Sequence, residues 1–413
     1  MTDSPSIPGT VATGDRPHGR PEPTDGPELG IELTVVLPCL NEADTLATCV
    51  RKAKRAMREN GIPGEVVVAD NGSTDGSQEI AAAEGARVVS VPERGYGNAL
   101  MGGIAAARGR YVLMGDADDS YDFLELPRFV RKLREGYDLV QGCRLERGGG
   151  RVLPGAMPFL HQHWGNPMFS ALARSWFHAP INDVYCGMRA FTKEHYESLG
   201  QQCTGMEFAT EMIIKSTVSA ARIAEVPISL HPDGRRVHAP HLRTFRDGWR
   251  TLRFFLLFSP RWLFLVPGVL LVLLGLVGYA VAMPAVHVFG VTFDAHTLLF
   301  ASLAIILGYQ SIMFAVFTKV FAVSEGLLPR DARFERLQRT VTLEKGLIAG
   351  SAAVLLGVVL LVLAVNKWRS AGFGELDYAS TMRLVVPGVT LTALGCQTVL
   401  SSFFVSVLGL RRL

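Results

Sequence analysis

Hydrophobic positions divide this chain into two unlike halves. After residue 260 they gather into four long apolar segments, at about 262–283, 298–323, 347–365 and 384–410. Each approaches or exceeds the roughly 20 residues a helix needs to cross a bilayer. None has a charge near its middle, and Lys319 sits close enough to an end to snorkel. In the first 250 residues the apolar runs are short. LTVVLPCL, GEVVVADN, ARVVSVPE and RYVLMGDAD read as strands, with helical periodicity at 43–57, 78–84 and 96–107 between them. This alternation predicts an α/β head built on a parallel sheet with helices on both faces, where ligands gather at the carboxyl ends of the strands.

Two stretches are amphipathic. In HLRTFRDGWRTLRFFLLFSP, 241–260, a helical wheel sets Arg243, Arg246, Arg250 and Arg253 on one side and Phe245, Trp249, Leu252 and Leu256 on the other. That pattern suits a helix lying in the headgroup plane, with Phe254 and Phe258 sinking its end toward the bilayer. In 161–178, Trp164, Met168, Phe169 and Leu172 suit a second interface helix or a plain core helix. The expected organisation is a disordered Pro/Gly-rich leader at 1–30, an α/β domain at 31–235, an interface helix at 236–260 and a four-helix membrane domain at 261–413. The leader has no apolar core, so it reads as neither signal peptide nor anchor.

Composition narrows the class further. The 413 residues carry a formal charge of +3, and no dense basic block with interleaved aromatics occurs in the head, which argues against nucleic acid as a partner. Six cysteines (39, 49, 143, 186, 203 and 396) form no CxxC pair and no zinc spacing, so a reducing compartment is expected. The loop at 284–295 has no Lys or Arg. The loop at 324–345 carries Arg330, Arg333, Arg336, Arg339 and Lys345, and the tail ends in Arg411 and Arg412. Lys367, Arg369 and Arg383 oppose this bias. The balance predicts a multi-pass membrane protein whose head, middle loop and C-terminus are cytoplasmic.

Chemistry concentrates at three predicted strand ends. In YVLMGDADDSYDF, 111–123, an apolar run stops in four aspartates, whose mutual repulsion and desolvation call for a cation. Asp116 and Asp118, two apart, can turn oxygens toward one hard divalent ion that also bridges a diphosphate. PCLNEAD places Asn41 and Glu42 just past another strand. ADNGSTDGS does the same for Asp70 and Asn71, with Gly72, Ser73 and Asp75 forming a turn and helix start.

Taken in order, N-E, D-N-G-S-T-D-G, G-D-A-D and D-x-x-C-G-M-R resemble the family 2 glycosyltransferases with the GT-A fold, which implies a nucleotide-binding α/β domain on a mixed, mostly parallel sheet. More narrowly the chain resembles the polyprenyl-phosphate sugar synthases, such as dolichol-phosphate mannosyltransferase, over about residues 31–235. The resemblance implies that Pro38, Asn41 and Glu42 line a nucleotide pocket and that Asp70 contacts base or ribose. Asn71 replaces a frequent acidic residue and leaves the base open. Asp116 and Asp118 would hold Mg2+ or Mn2+ and the donor diphosphate. Asp119 stands where an apolar residue is common in mannosyl enzymes and reads as a helix-start or supporting acid. Arg144 follows another predicted strand, and Arg147 with its Gly run reads as a mobile acceptor loop. Asp183 and Arg189 bracket the last motif, as substrate groups or as a buried ion pair. Cys186 stands where Ser is usual, and Glu211 matches a family acid.

The implied reaction is inverting transfer of a hexose from a UDP- or GDP-linked sugar to a polyprenyl phosphate. Such an acceptor is already ionised at neutral pH and needs no strong general base. Its charge must instead be neutralised, for which Arg144, Arg189 and Arg235 are the candidates, with Arg236 behind them. Asp183 would orient the acceptor or assist proton removal. Expected partners are the nucleotide-sugar, the lipid phosphate and the membrane, with a homo-oligomer left open. One alternative is transfer to a lipid hydroxyl, weakened because SPRW at 259–262 lacks the Gln of a Q-x-x-R-W segment. Another is a non-enzymatic membrane protein with a degenerate head, against which the intact Asp116–Asp118 pair argues.

Overall fold

A computed structural model describes residues 30–235, 244–288, 291–324 and 342–409. The predicted leader, Arg236, Arg243, the basic loop at 330–339 and the Arg411–Arg412 tail therefore lie outside the described residues. The head is one seven-stranded sheet in the order β3-β2-β1-β4-β7-β5-β8. Its strands are β1 (Leu33–Cys39), β2 (Gly64–Asp70), β3 (Arg87–Ser90), β4 (Tyr111–Met114), β5 (Leu139–Cys143), β7 (Arg189–Thr192) and β8 (Ile223–Pro227). A short parallel pair, β6 (Arg151–Val152) and β9 (Ser229–Leu230), lies outside it. All neighbours in the large sheet run parallel except β7, which is antiparallel to both β4 and β5.

The two-residue period of the strands sorts side chains between two cores. Leu33, Val35 and Leu37 of β1, Val66 and Val68 of β2, and Tyr111 and Leu113 of β4 join one cluster. Val36, Val67, Val112 and Met114 join the other. Helix α1 (Leu46–Glu59) covers the first face, burying Leu46, Cys49, Val50, Ala53, Ala56 and Met57 at helical spacing. Helices α2 (Ser77–Ala83) and α4 (Leu126–Arg134) follow β2 and β4. On the second face lie α3 (Tyr96–Ala106), α5 (Asn166–Phe177) and α7 (Phe208–Val218), with α6 (Lys193–Leu199) directly after β7. Because β7 is reversed, the segment before it, 183–188, meets the same sheet edge at which β4 and β5 end.

Helix α8 (Thr244–Phe258) is the predicted interface helix, but its faces differ from the wheel. Phe255 is fully buried against Phe169, Trp176 and Phe177 of α5, and Phe254 and Phe258 stack on each other beside the same core. These phenylalanines turn into the protein, while Trp249, assigned to the apolar side, is 61% exposed. The side chains of Phe245 and Arg246 lie outside the described ones. The 161–178 segment also divides. After a wide turn at His161–Gly165, α5 points Phe169 and Ala173 inward, whereas Phe159, Leu160, Trp164 and Met168 are exposed, Trp164 by 70%.

Among the described residues four apolar helices follow: Arg261–Ala282, Ala295–Ser324, Leu343–Ser370 and Tyr378–Leu408, each long enough to span a membrane and the last three longer than their apolar runs. Trp262, at the start of the first, stacks on Trp176 with ring centres 5.5 Å apart. The first helix packs on the second and the third on the fourth at glycine crossings. Gly268 abuts Gly308, and Gly350 abuts Gly395, so close that a Cβ at any of these positions would strike backbone. The Tyr279 hydroxyl ties the bundle together, 2.6 Å from Ser302 Oγ and 3.1 Å from Thr390 Oγ1.

Candidate active site

The chain after β4 divides its four aspartates between two tasks. Asp119 takes a left-handed conformation (φ 61°) and pairs with Lys52 at 2.8 Å. Asp122 accepts from the Leu124 N–H and caps the short helix Phe123–Glu125. The helix-start role expected of Asp119 therefore belongs to Asp122. Asp116 and Asp118 face the strand-end cleft. The Tyr96 hydroxyl, at the start of α3, donates to Asp116 Oδ1 at 3.0 Å, and the Ser120 N–H and hydroxyl donate to Asp118 Oδ1 at 3.0 and 2.6 Å. Burial, then the neighbouring Asp118 charge, push the Asp116 carboxyl up to about 6, against the Tyr96 hydrogen bond and the Arg235 and Arg144 charges.

The loops after β1 and β2 are stitched to each other. The Asn41 N–H donates to Ser73 Oγ (2.9 Å), Asn41 Oδ1 accepts from the Thr74 N–H (2.8 Å), and the Glu42 N–H donates to Ser77 Oγ (3.0 Å). Pro38 lies half-buried in β1 opposite Ala69. Asp70 departs from the expected ligand contact. It is fully buried, and its carboxylate accepts from the Gly72 and Ser73 N–H groups and from Gln78 Nε2 at 2.7 Å. Asn71 likewise holds the loop ahead of α3, donating to the Val91 and Glu93 carbonyls and accepting from the Gly95 N–H. Both residues hold the loops that follow β2 and β3.

At the end of β5, Arg144 meets Asp183 through a two-pronged pair, Nε to Oδ2 at 2.7 Å and Nη2 to Oδ1 at 2.9 Å, and its own N–H adds a third bond at 3.0 Å. Glu225 fixes this turn by accepting from the Asn182 and Asp183 N–H groups. Burial alone would lower the Arg144 pKa, but the Asp183 charge outweighs it and holds the guanidinium firmly protonated. Its Nη1 lies 3.4 Å from the Tyr121 hydroxyl, which accepts from the Gly187 N–H.

Two expectations are corrected here. Asp183 is fully buried with both oxygens on Arg144, so it orients that arginine and is not placed to take a proton. Arg189 is also fully buried and donates to the carbonyls of Ala209 and Cys186. It braces the core and is not exposed to an acceptor phosphate, and Asp183's ion-pair partner is Arg144. Cys186 is buried too, and burial, the largest influence, pushes its thiol up to about 12, leaving it neutral. Glu211 accepts from the Gln202 and Cys203 N–H groups and so steadies the loop whose Thr204 carbonyl receives the Gly97 N–H of α3.

Arg235 lies across the cleft. Its guanidinium donates to Glu42 (Nε to Oε2 2.8 Å), contacts Asp233 at 3.1 Å and approaches Asp118 Oδ2 at 3.5 Å. Of the site's residues, Tyr96, Ser120, Tyr121 and Asp233 were not singled out from sequence. Only a position beside a recognised acid hints at Ser120, and nothing local marks the two tyrosines.

Among the described residues no group of three His, Cys, Asp or Glu side chains assembles that could hold an ion unaided. The pair Asp116 and Asp118 nevertheless fits a divalent cation shared with a diphosphate. Both are hard oxygen donors two residues apart, and the one guanidinium that approaches Asp118, that of Arg235, stays 3.5 Å from its Oδ2. The glycine at 187 keeps the space clear, since a Cβ there would stand 2.9 Å from Asp116 Oδ2.

Residues 34–200 match the family described as glycosyl transferase family 2, and residues 316–409 match the glycosyltransferase family 2 C-terminal transmembrane region. The low-salt glycan biosynthesis hexosyltransferase Agl6 of Haloferax volcanii is 37% identical over 385 residues, spanning 92% of this chain and 90% of its own. A dolichyl-phosphate hexose transferase of the same organism is 33% identical over 48% of this chain and 82% of its own. Among solved structures, glucosyl-3-phosphoglycerate synthase from Mycobacterium tuberculosis is 25% identical, with a TM-score of 0.45, over 56% of this chain and 80% of its own. That enzyme has also been crystallised with Mn2+ and UDP. The near full-length likeness to a hexosyltransferase, the matched catalytic and membrane regions, and the mixed sheet with its acid pair lead to one assignment: this chain belongs to glycosyltransferase family 2, as a membrane-integral enzyme with a GT-A head.

Proposed function

We propose that the protein transfers a hexose from a UDP- or GDP-linked sugar to a polyprenyl phosphate, with inversion at the anomeric carbon. In this reading residues 31–235 form the catalytic domain, 236–260 the membrane-surface link and 261–413 the membrane domain, with the head on the cytoplasmic side. The Lys/Arg bias of the loops supports that orientation. Exposed Trp249, Arg250, Arg253 and Leu257 on α8, together with Trp164 and Met168 near α5, support contact with lipid headgroups.

One observation carries the choice of a phosphate acceptor: Asp183, the carboxylate expected to orient the acceptor or assist proton removal, is locked by both oxygens onto Arg144. A hydroxyl acceptor needs a group to receive its proton, whereas a phosphate oxygen arrives ionised. Here the difficulty is the approach of one anion to another. Arg144, held protonated beside Asp183, and Arg235, at the mouth of the acid pair, supply the positive charge for both phosphate groups. Tyr96 and Ser120 orient Asp116 and Asp118 toward the donor side. Asn41 and Glu42, with Pro38 behind them, border the nucleotide side. Asp116 and Asp118 would hold Mg2+ or Mn2+, which when bound offsets the charge of the departing diphosphate.

The test is detergent-purified protein incubated with undecaprenyl or dolichyl phosphate and a panel of UDP- and GDP-hexoses, with and without Mn2+. The expected product is a metal-stimulated, acid-labile lipid phosphohexose of inverted anomeric configuration. Transfer to diacylglycerol or ceramide but to no lipid phosphate would overturn the reading.

A further inference from the structure

Three carboxylates converge on Arg235: Asp233 two residues before it, and Glu42 and Asp118 from parts of the chain far away in sequence. Nε and Nη2 donate to Glu42, and Nη1 lies 3.1 Å from Asp233 and 3.5 Å from Asp118. The side chain is largely enclosed, with 17% of it exposed. Its backbone is anchored independently: the Gly234 N–H donates to the Asp118 carbonyl at 3.0 Å, and the Arg235 N–H donates to Asp233 Oδ1 at 2.8 Å. Gly234 also sits tightly in its turn, since a Cβ there would come within 2.9 Å of Thr45 Cγ2. The main chain is thus fixed beside the acid turn, while the long side chain can change partners without moving it.

We propose that Arg235 is an exchangeable placeholder, a tethered guanidinium that neutralises the acid cleft in the empty enzyme and gives way only when divalent cation and nucleotide diphosphate arrive together. This rests on the reading of Asp116 and Asp118 as the metal-diphosphate site. A cation settling alone on that pair meets a fixed positive charge already leaning on Asp118, and the two repel. A nucleotide diphosphate alone meets Asp116 and Asp118 with too little positive charge between them. When both come, the diphosphate gives the guanidinium a new anionic partner, for which a planar fork of donors is well suited. The carboxylate oxygens it leaves become free for the ion. Cation and nucleotide therefore bind with positive coupling, each tightening the other by the same factor. Glu42 anchors the resting state: it holds the fork through two nitrogens, where Asp118 is met only at longer range.

The experiment is a Mn2+ titration of the detergent-purified full chain, followed by loss of the free-ion electron paramagnetic resonance signal, without and with UDP. In the native protein Mn2+ binds weakly alone and much more tightly with UDP. Arg235→Gln binds Mn2+ alone about tenfold more tightly, within the usual range of coupling between sites, and loses most of the UDP-dependent gain. Arg235→Lys keeps the tethered charge and most of the coupling, which separates exchange from a merely structural part for this residue. Equal Mn2+ affinity in Arg235→Gln and native protein, with coupling to UDP intact, overturns the placeholder alone. Absence of Mn2+ binding in every form, even with UDP, overturns the metal site and the placeholder with it.

Discussion

Replacing Asp183 with asparagine separates a positioning role from a catalytic one. The carboxylate is fully buried and accepts three hydrogen bonds from Arg144, whose side chain is 9% exposed. Asparagine keeps one acceptor oxygen but removes the charge and turns an amino group toward a guanidinium that has only donors. Breaking one side of a buried pair costs about 3–5 kcal/mol, and the retained acceptor places Asp183→Asn near the lower end, at about 3 kcal/mol. In a domain of roughly 150–250 residues each kcal/mol moves the melting temperature by about 2–4 °C, so a fall of roughly 6–12 °C is expected. Intrinsic fluorescence of the detergent-purified protein during heating measures it. Replacing both partners with apolar residues, Asp183→Leu with Arg144→Met, restores most of the melting temperature, because no unpaired charge remains buried. The double variant still transfers poorly, since Arg144 is gone. The reasoning fails if Asp183→Asn melts like the native protein while kcat drops a hundredfold or more and KM is unchanged. That pattern belongs to a general base.

Three further outcomes can be checked. Asp118→Ala lowers transfer by about 10²–10³, the loss typical of removing one electrostatic stabiliser, while the melting temperature stays within a few degrees, because the side chain is bonded mainly to its own turn. Glu65 gives a pH signature. Burial raises its pKa, but the Arg108 N–H, the Arg87 guanidinium and the Thr34 hydroxyl together outweigh this and hold the carboxyl below its usual value. A depressed carboxyl adds stability above its unfolded pKa that is lost as pH falls through its folded one. Glu65→Gln therefore lowers the melting temperature at pH 7 and flattens its decline below about pH 4.3, and an unchanged decline counts against the account. Phe255→Ala empties the joint between α5 and α8 and costs about 3–5 kcal/mol, read as a lower melting temperature of the detergent-purified protein.

The parallel sheet, the acid pair and the four membrane helices were legible in the sequence because each leaves a local mark. Strand period, like charges two residues apart and apolar length all lie within one short window. Contacts set by topology left no such mark. Arg144 and Arg189 are both arginines near Asp183 in the predicted order, and which one meets it is decided by β7. Running backwards between β4 and β5, that strand pairs Arg189 with Met114 and Gln141 and turns its side chain into the core. Tyr96 reaches Asp116 only because α3 crosses the sheet at that height. On α8 the wheel found two faces but could not say that α5 would cover Phe255 and leave Trp249 outside. Asp70 looked like a ligand contact because an acid at a strand end is equally a turn builder, and here the Gly72 and Ser73 amides claim it.

The reversed strand also dictates an order of assembly. Strands β1 to β4 can pair as they leave the ribosome, yet β5 emerges about 50 residues ahead of β7, the only strand that joins it to them. Until Thr192 has been made, β4 presents one unpaired edge and β5 both of its edges, the kind of surface on which nascent chains aggregate. The head thus closes late and in two steps, β7 bridging β4 to β5 and β8 then covering the outer edge of β5, so a chaperone has open strand edges to shield until Pro227 has been made.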